Sequence, residues 1–256
     1  MIHATAVVDP RARLAPEVEV GPYAVIGPDV EIGQGCRIGP HAVITGHTRI
    51  GRDNRIFQFA SVGDAPQDKK YRGEATRLEI GDGNIIREFC TLNTGTVQGG
   101  GLTRIGDDNL FMAYAHVAHD CVVGSHTVFA NCATLGGHVR IDDWVILGGF
   151  TAVHQFCHIG AHVMTGGGSM IVKDVPPYMK VAGSFAQAHG INAAGLKRRG
   201  FSADALAGIK RAYKTVYRSG LTLEEAKRTL EEQVAECPEV APFLEFFADA
   251  SRGIIR

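Results

Sequence analysis

Large apolar residues, nearly all aliphatic, recur at every sixth position along most of the chain. The column comprises Ile2, Val8, Leu14, Val20, Ile26, Ile32, Ile38, Ile44, Ile50, Ile56 and Val62, and it resumes at Ile80, Ile86 and Leu92. After a second interruption it restarts one residue out of step and comprises Ile105, Phe111, Val117, Val123, Phe129, Leu135, Ile141, Leu147, Val153 and Ile159. Repetition at a short fixed period predicts a solenoid of stacked short strands.

A second column lies four residues after the first, and its members are small. It comprises Ala6, Ala12, Val18, Ala24, Val30, Cys36, Ala42, Thr48, Asn54 and Ala60, and later Ala115, Cys121, Thr127, Ala133 and Val139. One large and one small inward residue per strand, followed by a turn, predicts a triangular coil of three hexapeptides. Glycine often follows the aliphatic residue, as at Gly21 and Gly39. We expect it to permit the tight turns.

Two polar stretches, 63–79 and 93–104, interrupt the repeat. They are rich in turn-forming residues and are predicted to be loops that project from the prism. Loops on a rigid scaffold often carry functional residues. We therefore expect a β-helix domain at 1–185 with both loops on its surface.

Helical spacing replaces the six-residue period from about residue 186. Ser202 is a predicted N-cap, residues 222–225 form a predicted capping box, and Pro238 precedes a last helix that is predicted to end near Ser251. The predicted fold is thus an all-β parallel β-helix with a small C-terminal α-helical domain at 186–256.

Composition limits the classes of partner. The chain is 45% hydrophobic with a formal charge of −1, which provides no overall attraction to nucleic acid. No segment has the length and apolarity of a membrane span or a secretion signal, so we expect a cytoplasmic protein without stable membrane insertion. Six cysteines without C-x-x-C spacing predict reduced thiols. Residues 197–218 contain seven basic side chains and one acid, which indicates a solvated face or a docking site for an acidic protein.

Seven of the eleven histidines lie between His116 and His162. With 18 residues per coil, the polar residues of this region should align along one stripe of the prism. The stripe comprises His119, Asp120, Gly137, His138, His154 and Gln155. Imidazole titrates near neutral pH, so such a stripe favours general base catalysis.

Three other interpretations remain open for this stripe. The histidines could be structural groups at subunit contacts, or His119, His154 and His158 could bind zinc. Cys121 could be a nucleophile, but it occupies the small inward column with Cys36, Cys90 and Cys157, which favours packing.

A resemblance to a known family becomes specific over eight runs of sequence. These are QDKKY (67–71), GTVQGGGLT (95–103), AHVAHDC (115–121), GGHV (136–139), AVHQFC (152–157), IGAHVM (159–164), DVPPY (174–178) and GLKRRGFS (195–202). Over nearly its whole length the chain resembles the UDP-N-acetylglucosamine O-acyltransferases, which belong to the hexapeptide-repeat acyltransferase superfamily. The resemblance implies a left-handed β-helix and the first step of lipid A biosynthesis.

The resemblance implies catalytic roles for three residues of the stripe. His119 would be the general base for the sugar 3-hydroxyl, Asp120 would orient the imidazole, and the backbone N–H of Gly137 would stabilise the oxyanion. The donor would be a 3-hydroxyacyl thioester on acyl carrier protein. Transfer would be direct, without an acyl-enzyme.

The resemblance also implies binding residues. Substrate binding maps to Gln67, Asp68, Lys70, His116, His138, His154, Gln155, Asn192, Arg198 and Arg199, with the two arginines at the nucleotide phosphates. The acyl-chain groove maps to Met164, Gly167 and Phe185. Many relatives have Asn-x-Glu where this chain has Asn192, Ala193 and Ala194, so the carboxylate for the uridine ribose is missing.

The implied partners are acyl carrier protein, UDP-N-acetylglucosamine and two further copies in a homotrimer, with no nucleic acid. We expect no bound cofactor or metal, because 4′-phosphopantetheine arrives on the carrier protein. The later N-acyltransferase of the same pathway is disfavoured, since the repeat begins at residue 2 without a preceding domain. A noncatalytic β-helix scaffold would not need the polar loops or the histidine stripe.

Overall fold

In a computed structural model of the chain, residues 1–250 and 252–255 are described, and they form a three-sided prism of parallel β-sheets with helices at one end. Face I comprises Val7–Val8, Val25–Ile26, Val43–Ile44, Ser61–Asp64, Thr91–Asn93, His116–Val117, Thr134–Leu135, Ala152–Val153 and Met170–Ile171. Face II comprises Arg13–Leu14, Val30–Ile32, His47–Ile50, Arg77–Ile80, Leu102–Ile105, Val122–Val123, Arg140–Ile141 and His158–Ile159. Face III comprises Glu19–Val20, Arg37–Ile38, Arg55–Ile56, Ile85–Ile86, Leu110–Phe111, Val128–Phe129, Ile146–Leu147, Met164–Thr165, Met179–Ala182 and Gln187–Ile191.

Each coil visits the three faces in turn and stacks on the coil before it. Val117 pairs with Leu135, 18 residues away, and Leu135 pairs with Val153. Both inward columns are buried over most of the prism, which confirms the predicted period. The first coil differs: Ile2 is 52% exposed, and Val8 and Leu14 are only half-buried. The end coil has no neighbour on its outer side to cover them.

Glycine has a different role at the edges from the one that the sequence suggested. The residues with positive φ there are mostly not glycine; they include Asp120 (φ 60°) and His138 (φ 61°). The glycines that follow the aliphatic column lie against the backbone of the next coil. A Cβ on Gly39 would stand 2.8 Å from the Gln58 nitrogen. These glycines are needed for close stacking of the coils.

Asparagine replaces the small apolar residue in part of the inner column. Asn54, Asn84 and Asn109 are fully buried, and they form a ladder. The Asn84 backbone N–H donates to Asn54 Oδ1 at 2.9 Å, and the Asn109 N–H donates to Asn84 Oδ1 at 3.0 Å. Each amide nitrogen also donates to a turn carbonyl. The ladder therefore satisfies polar groups that would be costly to bury alone.

The helical part begins later than the predicted boundary at residue 186. Residues 187–191 form an antiparallel strand at the end of face III. Within the described residues, four α-helices follow: α1 (Ala193–Arg198), α2 (Ala203–Arg218), α3 (Leu223–Glu236) and α4 (Ala241–Asp249). Short 3-10 turns lie at Val97–Gly99 and Pro238–Val240.

The predicted helix starts are confirmed. The Ser202 side chain caps α2, and the Thr222 capping box begins α3. Helix α4 ends at Asp249; Ser251, near which we predicted its end, lies outside the described residues. Among the helices of the described chain, none combines the length and apolarity needed to cross a bilayer.

Candidate active site

The predicted histidine stripe lies along the edge between faces I and II, here called the I–II edge. His119 and Asp120 follow the strand His116–Val117. His138 lies in the next coil, and its backbone N–H donates to the His119 carbonyl at 3.0 Å. One coil further, the Phe156 N–H donates to the Gly137 carbonyl at 3.1 Å. Stacking of coils therefore brings His119, Gly137 and His138 together, as the 18-residue spacing predicts.

A His–Asp pair is at the centre of the site. His119 Nδ1 lies 2.8 Å from Asp120 Oδ2, and the side chains are 13% and 1% exposed. The buried carboxylate also accepts hydrogen bonds from Thr96, through the backbone nitrogen at 2.8 Å and the hydroxyl at 2.6 Å. With Nδ1 bonded to the carboxylate, Nε2 of His119 is the nitrogen that can accept a proton from a ligand.

Gly137 lies directly under the His119 ring. A Cβ at residue 137 would stand 2.6 Å from His119 Nε2, so only glycine fits beneath the imidazole. Among the described residues, none accepts a hydrogen bond from the Gly137 N–H. That N–H is therefore free to bind an anionic oxygen close to the imidazole.

His138 lies beside His119, in the next coil of the I–II edge. Its ring stacks on Phe156 with centroids 4.4 Å apart and meets the His119 ring edge-on at 5.1 Å. Burial lowers the pKa of His138, while the carboxylates of Asp120 and Asp68 oppose that shift. The residue is therefore neutral at pH 7 and can donate or accept a hydrogen bond. The influence of Asp68 indicates that the first loop approaches the pair.

The other predicted binding residues of the I–II edge surround this pair. His116 lies on face I, with its Nδ1 2.6 Å from Thr91 Oγ1, and burial lowers its pKa. His154 and Gln155 are exposed two coils beyond His119. In the first loop, Gln67 and Lys70 are exposed and Asp68 is half-buried.

Asn192, Arg198 and Arg199 lie elsewhere, at the edge between faces II and III. Asn192 is 4% exposed and caps α1: its Oδ1 accepts from the Gly195 N–H at 3.2 Å, and its Nδ2 donates to the His162 carbonyl at 3.0 Å. The structure thus gives Asn192 a structural role that sequence reasoning missed. A polar residue directly before a helix was the available signal.

Arg199 lies over the ring of Trp144, with the guanidinium carbon 5.3 Å from the centroid, and donates to the Trp144 carbonyl at 2.9 Å. A cleft of about 620 Å³ opens beside it. The cleft is lined by His126, Val128, Trp144, Ile146, His162, Arg198, Arg199 and Phe201. The II–III edge therefore has a pocket lined by arginine and aromatic side chains. His119 of the same chain lies on a different edge, the I–II edge.

The predicted acyl-groove residues are exposed near the C-terminal end of the prism. Met164 is on face III, Gly167 is at the edge between faces III and I, and Phe185 follows a residue bridged to Met170 of face I. Met164 is 37% exposed and Phe185 64% exposed. The nearest atom to a Cβ at Gly167 would be the Gly149 carbonyl oxygen at 3.4 Å, so the site has room for a side chain.

Two alternative chemistries receive little support from the contacts. Cys121 is fully buried, and burial raises the pKa of its thiol to about 12, which confirms the predicted packing role. His158 bonds to Asp142 at 2.9 Å and packs against Phe246 of α4, so it is not available as the third member of the predicted zinc set. The structure instead places ligand-type atoms of His119, Asp120 and His138 within 4.8 Å of one another.

Comparisons with known proteins agree with this fold and show the family of the chain. The family model for bacterial transferase hexapeptide repeats matches residues 11–46 and 102–137, and domain 2 of UDP-N-acetylglucosamine O-acyltransferase matches 174–255. The fold and these family models thus define a hexapeptide-repeat acyltransferase with a left-handed β-helix and a small helical domain. The chain belongs to the acyl-[acyl-carrier-protein]–UDP-N-acetylglucosamine O-acyltransferase family.

The similarity extends over whole chains. The family member from Thiobacillus denitrificans is 64% identical over 255 residues, covering 100% of this chain and 99% of the relative. The member from Janthinobacterium is 60% identical with the same coverage. The solved Moraxella catarrhalis UDP-N-acetylglucosamine O-acyltransferase is 45% identical, with a TM-score of 0.98 and coverage of 100% and 99%.

Proposed function

We propose that the chain transfers a 3-hydroxyacyl group from acyl carrier protein to the 3-hydroxyl of UDP-N-acetylglucosamine, with His119 as the general base. This is the first step of lipid A biosynthesis, in the cytoplasm. The observation that carries the mechanism is the buried His119–Asp120 pair packed against Gly137, whose N–H has no acceptor among the described residues.

The geometry supports a direct transfer. His119 Nε2 takes the proton of the sugar hydroxyl while Asp120 holds Nδ1–H and stabilises the imidazolium. The hydroxyl oxygen attacks the thioester carbonyl, and the resulting oxyanion binds the Gly137 N–H. Collapse releases the pantetheine thiolate, which receives the proton from His119. The products are the ester and the free carrier thiol.

Neighbouring groups on the I–II edge would hold the sugar. Asp68 approaches from the first loop with an anionic acceptor for sugar hydroxyls, with Gln67 and Lys70 beside it. His138, neutral and fixed by its stack on Phe156, suits the N-acetyl group, and His116, His154 and Gln155 extend the polar wall along the edge.

In a single chain, the catalytic pair and the pocket proposed for the nucleotide phosphates lie on different edges of the prism. The His–Asp pair lies on the I–II edge, whereas the pocket of Arg198 and Arg199 lies on the II–III edge. Arginine suits the nucleotide diphosphate because its planar fork can bind two phosphate oxygens. We therefore propose that a homotrimer completes each site, with the arginines of one copy beside His119 of the next.

The outer surfaces of the three faces support this arrangement. From Arg13 to Arg140, the outer row of face II is charged except at Val122, which lies between Arg104 and Arg140; its charged members are Arg13, Glu31, Arg49, Glu79, Arg104 and Arg140. The outer row of face III becomes apolar from the middle of the prism: Ile85, Leu110, Val128, Ile146 and Met164. If face I of one copy packs on face III of the next, face II remains in solvent and the two edges meet.

The edge between faces III and I then points to the threefold axis. It has a continuous stack of exposed rings, with centroids about 5 Å apart as in offset aromatic pairs. The stack comprises Tyr23, His41, Phe59, Phe89 and Tyr114. Such a patch on one copy is a surface that association would cover.

A metal-dependent hydrolase is the second candidate, because of the cluster of His119, Asp120 and His138. Against it, both carboxylate oxygens of Asp120 accept hydrogen bonds from Thr96, and His119 Nδ1 is turned to the carboxylate. We therefore propose that the enzyme needs no metal and no bound cofactor.

The function is tested by incubating the protein with UDP-N-acetylglucosamine and a series of 3-hydroxyacyl carrier proteins, with and without chelator. We expect O-acylated sugar nucleotide in both conditions. His119→Ala should lower kcat by roughly 10²- to 10⁴-fold, and Cys121→Ser should have little effect. Loss of activity on chelation with one zinc per subunit, or an inactive but folded Cys121→Ser protein, would contradict the mechanism.

The shared site is tested by mixing two inactive variants. His119→Ala and Arg199→Ala trimers, dissociated and reassociated together, should regain activity, because some mixed sites then combine an intact His119 with an intact Arg199 from another copy. The control is each variant reassociated with itself. Absence of recovery in mixed trimers confirmed by mass spectrometry would place both residues in the same subunit's site.

A further inference from the structure

The carboxylate of Asp120 is held by the second loop as well as by His119. Thr96 donates its backbone N–H to Oδ1 at 2.8 Å and its hydroxyl to Oδ2 at 2.6 Å. Oδ2 also contacts His119 Nδ1 at 2.8 Å. Thr96 is 1% exposed and Asp120 is 7% exposed, so neither side chain presents a surface to a substrate.

The rest of this loop encloses the same carboxylate. Thr103, at the far end of the loop, accepts the Asp120 backbone N–H through its hydroxyl at 2.8 Å. A Cβ on Gly95 would stand 2.8 Å from Asp120 Oδ1, and one on Gly99 would overlap the carboxylate itself. The glycines of the run GTVQGGGLT therefore let the loop close directly over Asp120.

We propose that Thr96 is a positioning residue for the His119–Asp120 pair, and that the second loop serves to build this carboxylate's socket rather than to bind substrate. Two donors from one residue fix both oxygens, so the carboxylate cannot rotate about its bond to Cβ. Oδ2 is then aimed at Nδ1 of His119, which holds the proton on Nδ1 and leaves Nε2 to act as the base. The inference rests on the proposed role of His119.

The mechanism explains why the hydroxyl matters in addition to the backbone N–H. With the backbone bond alone, Oδ1 is fixed, but Oδ2 has only the His119 imidazole within hydrogen-bond distance, since His138 Nε2 is 3.8 Å away. Imidazole without an aligned acceptor exchanges its proton between both nitrogens, and a triad with the wrong tautomer loses most of its rate. The Thr96 hydroxyl therefore acts on catalysis through the tautomer of His119.

The test compares Thr96→Val with Thr96→Ser. Valine keeps the shape and the backbone N–H but lacks the hydroxyl, whereas serine restores the hydroxyl. Thr94→Val is the matched control: Thr94 is in the same loop and 3% exposed, but its hydroxyl bonds to Thr76. Each variant is assayed for kcat and KM, and ¹⁵N NMR reports the fraction of His119 protonated on Nδ1.

We expect Thr96→Val to lower kcat roughly tenfold to hundredfold, the size of effect seen when the hydrogen-bond partner behind a metal-binding histidine is lost. KM for both substrates should be unchanged, and the Nδ1-protonated fraction should fall. Thr96→Ser should restore both values, and Thr94→Val should retain them. Gly99→Ala, which pushes on the carboxylate without removing a donor, should lower kcat in the same way.

Three results would overturn the inference. An unchanged kcat and tautomer in folded Thr96→Val, with His119→Ala inactive, would leave the proposed function in place but remove Thr96 from it. Equal losses in Thr96→Val and Thr94→Val, with the tautomer intact, would show a general effect on the loop. Full activity of His119→Ala would overturn the proposed role of His119 as the general base, and with it the inference that rests on that role.

Discussion

The imidazole of His119 lies against the backbone of Gly137 in the next coil, with room for a hydrogen atom but not for a methyl group between them. A Cβ at residue 137 would stand 2.6 Å from Nε2. The general base and the oxyanion donor are therefore parts of one packed contact. Their separation is set by the spacing of the coils, about 4.8 Å.

Replacing Gly137 with alanine should displace the imidazole and cover the N–H. We expect Gly137→Ala to lower kcat at least a hundredfold, as the loss of a general base or an oxyanion donor does. The control is Gly149→Ala, whose Cβ would have only the Asn131 carbonyl oxygen nearby, at 3.4 Å. The measurement is kcat of both folded variants. Equal kcat values would contradict the prediction that catalysis needs the close contact between Gly137 and His119.

The basic face of α2 should be the docking surface for acyl carrier protein. Lys210, Arg211 and Lys214 are exposed there. Arg211 pairs with Glu236 at 3.0 Å, whereas the two lysines of this face form no ion pair with the described residues. Reversing all three charges should raise KM for the carrier severalfold at low salt and weaken its salt dependence. KM for the nucleotide sugar should not change.

Lys210→Glu/Lys214→Glu provides a smaller version with a matched control. Lys227→Glu/Arg228→Glu makes the same change of charge on α3, where Lys227 pairs with Glu224. If both double variants raise the carrier KM equally, the effect comes from net charge and not from the face of α2.

Gly167 should set the length of the acyl chain. It is exposed at the III–I edge, where an added Cβ would stand 3.4 Å from the Gly149 carbonyl oxygen. A groove that accepts two more methylenes should prefer the longer donor by about tenfold, at roughly 0.8 kcal/mol per methylene. Gly167→Met should shift the preference to shorter donors and retain activity toward them. The measurement is kcat/KM against donor length, and an unchanged order would show that Gly167 does not set the limit.

His162 should make stability depend on pH. Burial, together with the nearby guanidinium of Arg199, lowers the pKa of His162 from 6.5 to about 4. Between these values the unfolded chain binds a proton that the folded chain does not. The free energy of unfolding is therefore unaffected by His162 above pH 6.5 and decreases as the pH falls toward 4.

The variant His162→Phe tests this dependence. The ring stacks near Trp144 and Tyr178, which phenylalanine can also do. The fall in Tm between pH 6.5 and 4.5 should be smaller in this variant than in the parent. An identical fall in both proteins would remove His162 as the source.

The repeat explains how much of the fold could be predicted. A period of six identifies each inward residue, because every coil repeats the same environment, and buried residues such as Val117 and Leu135 follow it. The ends do not repeat. The exposure of Ile2 and the antiparallel strand Gln187–Ile191 depend on what caps the prism, which the period does not describe.

The candidate site likewise has residues that the repeat predicts and residues that it does not. His119, Gly137 and His138 could be brought together from spacing alone, since they lie in consecutive coils. Thr96 is 24 residues before Asp120, and its contact depends on how the second loop folds back. The cap by Asn192 and the pairing of Arg199 with Trp144 depend on how the helices dock. The resemblance indicated the run that contains Thr96 but assigned no role to it.

The two loops differ in how freely their sequences can change. Val62, Leu92 and Val117 stack in register although 30 and 25 residues separate them, so the coils tolerate inserted segments without a shift in the strands that follow. Insertions or substitutions at 65–76 would therefore alter the wall that faces the sugar and leave His119 in place. The segment 94–101 lacks this freedom, because it touches the carboxylate behind the base. New acceptor specificity is thus open to this scaffold through its first loop and not through its second.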